Sequence, residues 1–350
     1  MSSKRIVILG LLAIALTGFA CSRGSKRSGL FPIWQKGKTG FINSKGQVVI
    51  PPQFDLASSF SEGLAPVVVG GKFGYINTKG ELVINPQFAG ADGFSEGMAP
   101  VTIDNKTGFI DQKGTLVITP QFDSAQGFAD GLSAVMISNK WGFIDKTGKY
   151  VINLQYQDAR PFVDGLAAVK HDGKYGFIDK TGKVVIPFQF DNVRVWFFSV
   201  LEGFASWPIP VSVGEKWGYV DQRGKYAVNP QYEDACSFHE DLACVKSAGK
   251  YGYIDTSGNF IINPQFEVAW DFSNERAAVS IGSSAGSRVG FIDKHGKYVI
   301  NPQFNNVSTF IDGLSSVNIT GKDSKVMSGY IDPMGHFVYG PVEVEVVEGE

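Results

Sequence analysis

One phrase recurs along this chain, and its recurrence restricts the fold more than any other feature. Taking the glycine of "KWGFIDKTGKYVI" as a landmark, Gly142 has counterparts at Gly40, Gly74, Gly108, Gly176, Gly218, Gly252, Gly290 and Gly329. The successive intervals are 34, 34, 34, 34, 42, 34, 38 and 39 residues, which makes nine units. A fixed period of this length marks a repeat architecture, in which each unit is one supersecondary block that cannot bury its apolar face alone.

The conserved spacing inside the unit names the block. Phe or Tyr follows every landmark glycine, then Ile or Val, then Asn43, Asn77 or Asp (Asp111 to Asp332), and a second glycine stands three residues later. A short polar side chain that accepts a backbone N–H, followed by a glycine able to take positive φ, is hairpin chemistry. Upstream lies another apolar run, as in "GLAPVVV". The unit therefore reads as a three-stranded meander, with strands near 64–69, 73–77 and 81–85 in the second copy. Proline in "NPQF" is expected to end the third strand. Two aromatics in the connector, such as Phe54 and Phe60, read as plugs between successive meanders. The landmark glycine suits a place where another backbone or ring approaches closely.

The expected fold is all-β: nine tandem three-stranded meanders of about 34 residues forming an open β-superhelix, with a closed propeller-like ring as the alternative. Nine units are many for a ring. The terminal copies also begin and end in phase, without a split unit to clasp a circle shut. The pattern resembles the WG repeat, a bacterial family named for the pair seen here as Trp141-Gly142 and Trp217-Gly218. The resemblance runs from about Leu30 to Pro341. It implies a β-rich repeat, often on exported or surface proteins, and no catalytic residues to carry over.

The N-terminus is of another kind. Lys4 and Arg5 precede an apolar run from Ile6 to about Leu16, too short for a bilayer span of roughly 20 residues, so residues 1–20 read as a cleaved export signal. The stretch resembles a bacterial lipoprotein signal, with Cys21 as the lipid-carrying first residue and 21–29 as a polar tether. Gly18 stands where such signals usually have Leu, and ordinary release after Ala20 is the alternative. The expected division is signal 1–20, tether 21–29, repeats 30–341 and acidic tail 342–350. The tail's alternating Val and Glu suit a charged last edge.

The remaining cysteines, Cys236 and Cys244, are an even pair that in an oxidising compartment reads as a disulfide. His239 lies between them, with no fourth metal ligand evident nearby in sequence. The four histidines fall at unrelated repeat positions, and no HExxH, GxxxxGK or CxxC occurs. The Asp column at the hairpin turns is explained by turn capping, so neither a metal nor a cofactor is expected. Lys38, Lys72, Lys106, Lys140, Lys174, Lys216, Lys250 and Arg288 form a basic column at the other turn, suited to solubility or to an acidic glycan. With 32 Lys and Arg against 34 Asp and Glu, no overall field favours nucleic acid.

The most individual segment is where the period stretches to 42 residues, holding Trp196, Phe197, Phe198, Phe204 and Trp207. Insertions in repeat arrays emerge on one face, and exposed aromatics suit stacking on sugars or docking a protein. The expectation is a non-enzymatic, exported and lipid-anchored scaffold of the cell envelope, binding a protein or glycan and touching membrane only through its anchor. The alternatives are periplasmic or secreted release, an envelope enzyme with a site assembled across repeats, and a structural spacer.

Overall fold

The computed structural model describes residues 28–195, 207–282, 287–321 and 325–344. Blade 1 is a sheet of β1 (Leu30–Gln35), β2 (Lys38–Asn43) and β3 (Val48–Phe54). Blade 2 adds a short strand, in the order β4 (Leu56–Ala57), β5 (Leu64–Val69), β6 (Lys72–Asn77) and β7 (Leu82–Phe88). Seven further four-stranded sheets repeat this order, giving nine small antiparallel sheets in all. The short strand at the head of each connector, two residues long except in blade 5 where it runs Asp158–Val163, carries no signal that sequence pattern can detect.

Each hairpin forms as its residues dictate. In blade 3 the Asp111 carboxylate accepts the backbone N–H groups of Lys113 (2.9 Å) and Thr115 (2.8 Å), while Gly114 takes φ +82°. Asn43 and Asn77 cap their turns in the same way. Turn capping therefore accounts for this column.

The third strand corrects one expectation. β7 does not stop at Pro86 but runs on to Phe88, because a wide bulge, in which Phe73 pairs with Phe88 and Tyr75 with Ile84, removes the need for a ladder donor there. That bulge explains the landmark glycine. A Cβ on Gly74 would lie 2.5 Å from the Ile84 carbonyl oxygen and 2.7 Å from the Pro86 nitrogen; at Gly142 it would lie 2.5 Å from Ile152 O.

The apolar cores lie between sheets, not within them. One cluster joins Phe41, Ile50 and Phe54 of blade 1 to Ala57, Phe60, Ala65, Val67 and Ile76 of blade 2. The connector aromatic packs on the ring that follows the landmark glycine: Phe41 on Phe60 with centroids 4.9 Å apart, Tyr75 on Phe94 at 5.0 Å, Phe291 on Phe310 at 4.9 Å. Tilted geometry of this kind adds to the burial itself.

The same contacts continue from blade 9 to blade 1, so the array closes as a nine-bladed β-propeller. Tyr330 donates its O–H to Pro32 O at 2.7 Å, as Tyr75 does to Asp92 O at 2.7 Å one blade further on. Phe31 takes the place of the connector aromatic, 5.6 Å from the Tyr330 ring, and Phe31, Ile33, Ile42, Leu314 and Tyr330 form a closing core. The open superhelix is thus corrected: blades in phase need no shared strand when β1 supplies the plug that a preceding connector supplies elsewhere. The last strand, Phe337–Glu343, extends two residues into the predicted tail.

The bulge contact is directly testable. Gly142→Ala is expected to destabilise by about 3 kcal/mol through overpacking against backbone. Gly131→Ala, where a Cβ meets nothing within 4 Å but φ is +85°, is expected to cost about 1 kcal/mol. Denaturant midpoints of the two variants measure the difference, and equal shifts would show that the bulge tolerates a Cβ.

Candidate functional site

A ring has one edge of every blade at its axis, and contacts between equivalent residues identify it. In a nine-fold ring, equivalent groups one side chain apart, ~6–7 Å, sit roughly 10 Å from the axis. The short-strand edge meets this condition: Gln126 Nε2 donates to Ala159 O at 3.3 Å, and Arg194 Nη1 donates to Ala235 O at 2.6 Å in the next blade. The third strands form the outer edge, where Val48, Val49, Leu82 and Val83 are exposed.

At one mouth of the axial channel the chain makes tight turns that sequence reading overlooked. Glu62 (φ +53°) and Gly63 (φ +84°) close a two-residue hairpin between Ser61 and Leu64, which exchange backbone hydrogen bonds. At five of these turns among the described residues the side chain accepts the N–H of the next blade's turn, as Glu62 does from Gly97 at 2.9 Å, Asp130 from Gly165 at 2.7 Å and Glu240 from Glu275 at 3.0 Å. Lys146 and Lys294 pair with Glu96 and Glu240 at 3.2 and 3.3 Å. This acidic crown is primarily an inter-blade tie. Its signal was an acid before Gly at the repeat period, from Glu62-Gly63 to Asp312-Gly313, with Glu240-Asp241 and Asn274-Glu275 as departures.

Asp92, which follows the short inner strand of blade 3, is exposed to solvent, and the protein crowded around it raises its carboxyl pKa. Blades 5 to 8 concentrate charge. Arg160 pairs with Asp158 at 2.9 Å; Arg194 binds Asp234 Oδ1 at 2.7 Å and lies over the Trp217 ring at 4.7 Å. Burial, then the bond to Asp234, push the Tyr251 phenol up to about 12.

Beside this sector the Cys236–Cys244 disulfide is formed, with Cα atoms 5.2 Å apart. Asp271 of blade 8 approaches it, and the two sulfurs and a carboxylate oxygen all lie within 4.8 Å of one another. His239 Nε2 stands 3.4 Å from Asp271 Oδ2. The structure thus brings a carboxylate to the cysteine pair from 27 residues beyond Cys244, a neighbour that local sequence cannot reveal.

Of the predicted aromatic cluster, Trp207 lies among the described residues, and Trp196, Phe197, Phe198 and Phe204 fall outside them, as does Cys21. Trp207 is half-buried. Its ring packs 5.2 Å from Phe177, filling the plug position between blades 5 and 6, so it is a core residue and not an exposed platform. Val195, which precedes segment 196–206, is buried, and Trp207 follows it.

The basic column is not a bare positive rim. Lys38 and Lys106 pair with Asp55 and Asp123 at 2.5 Å, and Lys174 and Lys250 pair with Asp191 and Glu267. These lysines, then backbone N–H donors, hold Asp55, Asp123 and Asp191 below the usual carboxylate range. The partners lie 17 residues on, across the bulged strand. A GxSxG spacing also occurs at Gly282 to Gly286, but it joins strands Ala277–Ile281 and Arg288–Ile292, not the strand and helix of a nucleophile elbow.

The WG containing repeat family matches at residues 40–73, 73–106, 108–141, 141–175, 175–206, 217–251, 251–283 and 290–322. No curated protein matches the chain. Among solved structures, dihydro-heme d1 dehydrogenase NirN in complex with DHE is similar at 8% identity and a TM-score of 0.46, covering 93% of this chain and 74% of that one. A likeness at that level carries no argument about chemistry.

Asp92 yields a prediction with a definite sign. Its folded-state pKa is raised, so the ionised form costs stability above the folded pKa, and the cost vanishes below the unfolded value of about 3.9. Asp92→Asn is expected to raise the melting temperature at pH 7 and to leave it unchanged near pH 3. A variant that melts lower at pH 7 would contradict the desolvation argument.

Proposed function

The chain belongs to the WG containing repeat family, and from that premise and the closed ring we propose that it is a non-enzymatic binding propeller. In this reading it is exported in a bacterium, held at the cell envelope by a lipid on Cys21, and contacts a protein or glycan. The observation that carries the proposal is the lengthened connector of blade 6. Two later blades are lengthened by four or five residues without aromatics, between Ile281 and Arg288 and between Thr320 and Val326, whereas blade 6 alone gains an aromatic-rich segment, residues 196–206, in its connector. In repeat arrays, individuality of that kind is where partners are recognised.

Two features support binding over catalysis. Carboxylates of the acidic crown and the basic column are engaged in ties between strands and blades. The outer hairpin acids are consumed in capping their own turns. Trp207 packs on Phe177, which leaves Trp196, Phe197, Phe198 and Phe204 as the contact candidates.

The test compares the lipidated wild type with Trp196→Ala/Phe204→Ala in recovery of partners from a detergent extract of envelope. The double variant is expected to lose at least tenfold in recovery of one protein or glycan while keeping the wild-type melting temperature. Equal recovery of every component would contradict the assignment to residues 196–206. Trp207→Ala is a poor probe, because it opens the core beside Phe177.

A further inference from the structure

The pair Cys236 and Cys244 lies where a disulfide alone explains only part of what surrounds it. Cys244 is fully buried in its strand, and Cys236 is half-buried at the channel edge of the same blade. Against them blade 8 places Asp271, with Oδ1 4.0 Å from Cys244 Sγ and Oδ2 facing His239 Nε2 at 3.4 Å. The His239 side chain is 6% exposed. A disulfide sulfur has no proton to donate to a carboxylate, so the oxidised pair gives Asp271 little in return for its desolvation.

The reduced pair is different. Reduction frees two thiolates beside a carboxylate whose oxygen, in the disulfide-bonded chain, already lies within 4.8 Å of both sulfurs, and together they make the mixed sulfur and oxygen donor set that suits a borderline-soft divalent cation. We propose that Cys236, Cys244 and Asp271 form a metal site of the Zn²⁺ class, gated by the thiol–disulfide state of the two cysteines. His239 is a positioning residue. Its imidazole holds the second carboxylate oxygen and so aims the first at the metal, as outer-shell partners do at known sites.

The chemistry balances as follows. A dithiol reductant transfers two electrons and two protons to the Cys236–Cys244 bond, leaving two thiols and its own disulfide. The cation then displaces both thiol protons to solvent and bonds to the two thiolates and to Asp271, with water completing four-coordination. Two thiolates and one carboxylate against a dication leave one net negative charge, and Arg194, whose charge acts on Asp271, lies on the side to offset it. Reoxidation restores the disulfide and expels the metal. The ligands come from adjacent blades, so the cation would tie blade 7 to blade 8 where the disulfide ties only blade 7 to itself.

Co²⁺ is the probe, since thiolate coordination gives it a sulfur-to-metal charge-transfer absorption and tetrahedral geometry gives intense visible bands. The full mature chain is reduced with a phosphine, freed of reductant under argon and titrated, with circular dichroism recorded before and after. One Co²⁺ per reduced chain is expected, with thiolate absorption, displacement by Zn²⁺, and none bound by the oxidised chain. Asp271→Asn keeps both thiols and is expected to weaken Co²⁺ binding at least tenfold. His239→Gln is expected to weaken it less while shifting the visible bands.

No thiolate absorption in the folded, reduced chain would overturn the proposal. So would Asp271→Asn binding as tightly as wild type, or loss of the ring on reduction alone. A Cys236→Ser/Cys244→Ser variant that folds but still binds Co²⁺ equally would assign the metal elsewhere and overturn it too.

Discussion

Every blade rests on the next through one recurring seat. The glycine of each outer hairpin turn lies against a branched side chain on the outer strand of the preceding blade: Gly80 on Ile50, Gly114 on Ile84, Gly148 on Ile118, and onward to Gly335 on Ile300. A Cβ at Gly80 would come within 2.9 Å of the Ile50 side chain, so only glycine lets the two blades close to packing distance. The φ near +80° at these positions makes the same demand independently. At the seam, Gly46 lies beneath the Val338 carbonyl and joins blade 1 to blade 9. Without this seat the Phe41–Phe60 type of ring pair and the shared apolar clusters have nothing to hold them together.

The polar apparatus follows from that packing. At four gaps a buried tyrosine reaches across to a backbone carbonyl of the next blade, as Tyr219 does to Cys236 O and Tyr253 to Trp270 O, both at 2.8 Å, and Tyr75 and Tyr330 do likewise; Phe stands at the equivalent position elsewhere. The crown turns tie the inner edge, and the lysine–carboxylate pairs tie the opposite face. Exposed pairs of that kind are worth little singly. Their role is register: Asp55, Asp123 and Asp191 each also accept a hairpin N–H, as Asp55 does from Gly70 at 2.8 Å.

Much of this was legible in sequence, and the reasons are physical. Hairpin turns, the close approach at Gly142, the connector plugs and the Cys236–Cys244 bond are local, or repeat so regularly that their period exposes them. Closure was not legible, because Phe31 acts in place of a connector aromatic without any of the connector's flanking residues. The pairing of Asp271 with the cysteines crosses a blade boundary. The crown escaped notice because Glu62, Glu96, Asp130 and Glu240 vary in type while keeping one backbone conformation. Trp207 misled for the opposite reason: its composition suggested a surface, whereas the gap beside Phe177 needed a plug.

The central claim is that no blade is stable until its neighbour covers it, and that closure extends the rule to the ends of the chain. The direct measurement is thermal unfolding, by circular dichroism, of a two-blade piece spanning residues 124–190 beside the whole nine-bladed chain. The account predicts no cooperative transition for the piece and a single sharp one for the ring. A piece that melts as sharply and at the same temperature would contradict it.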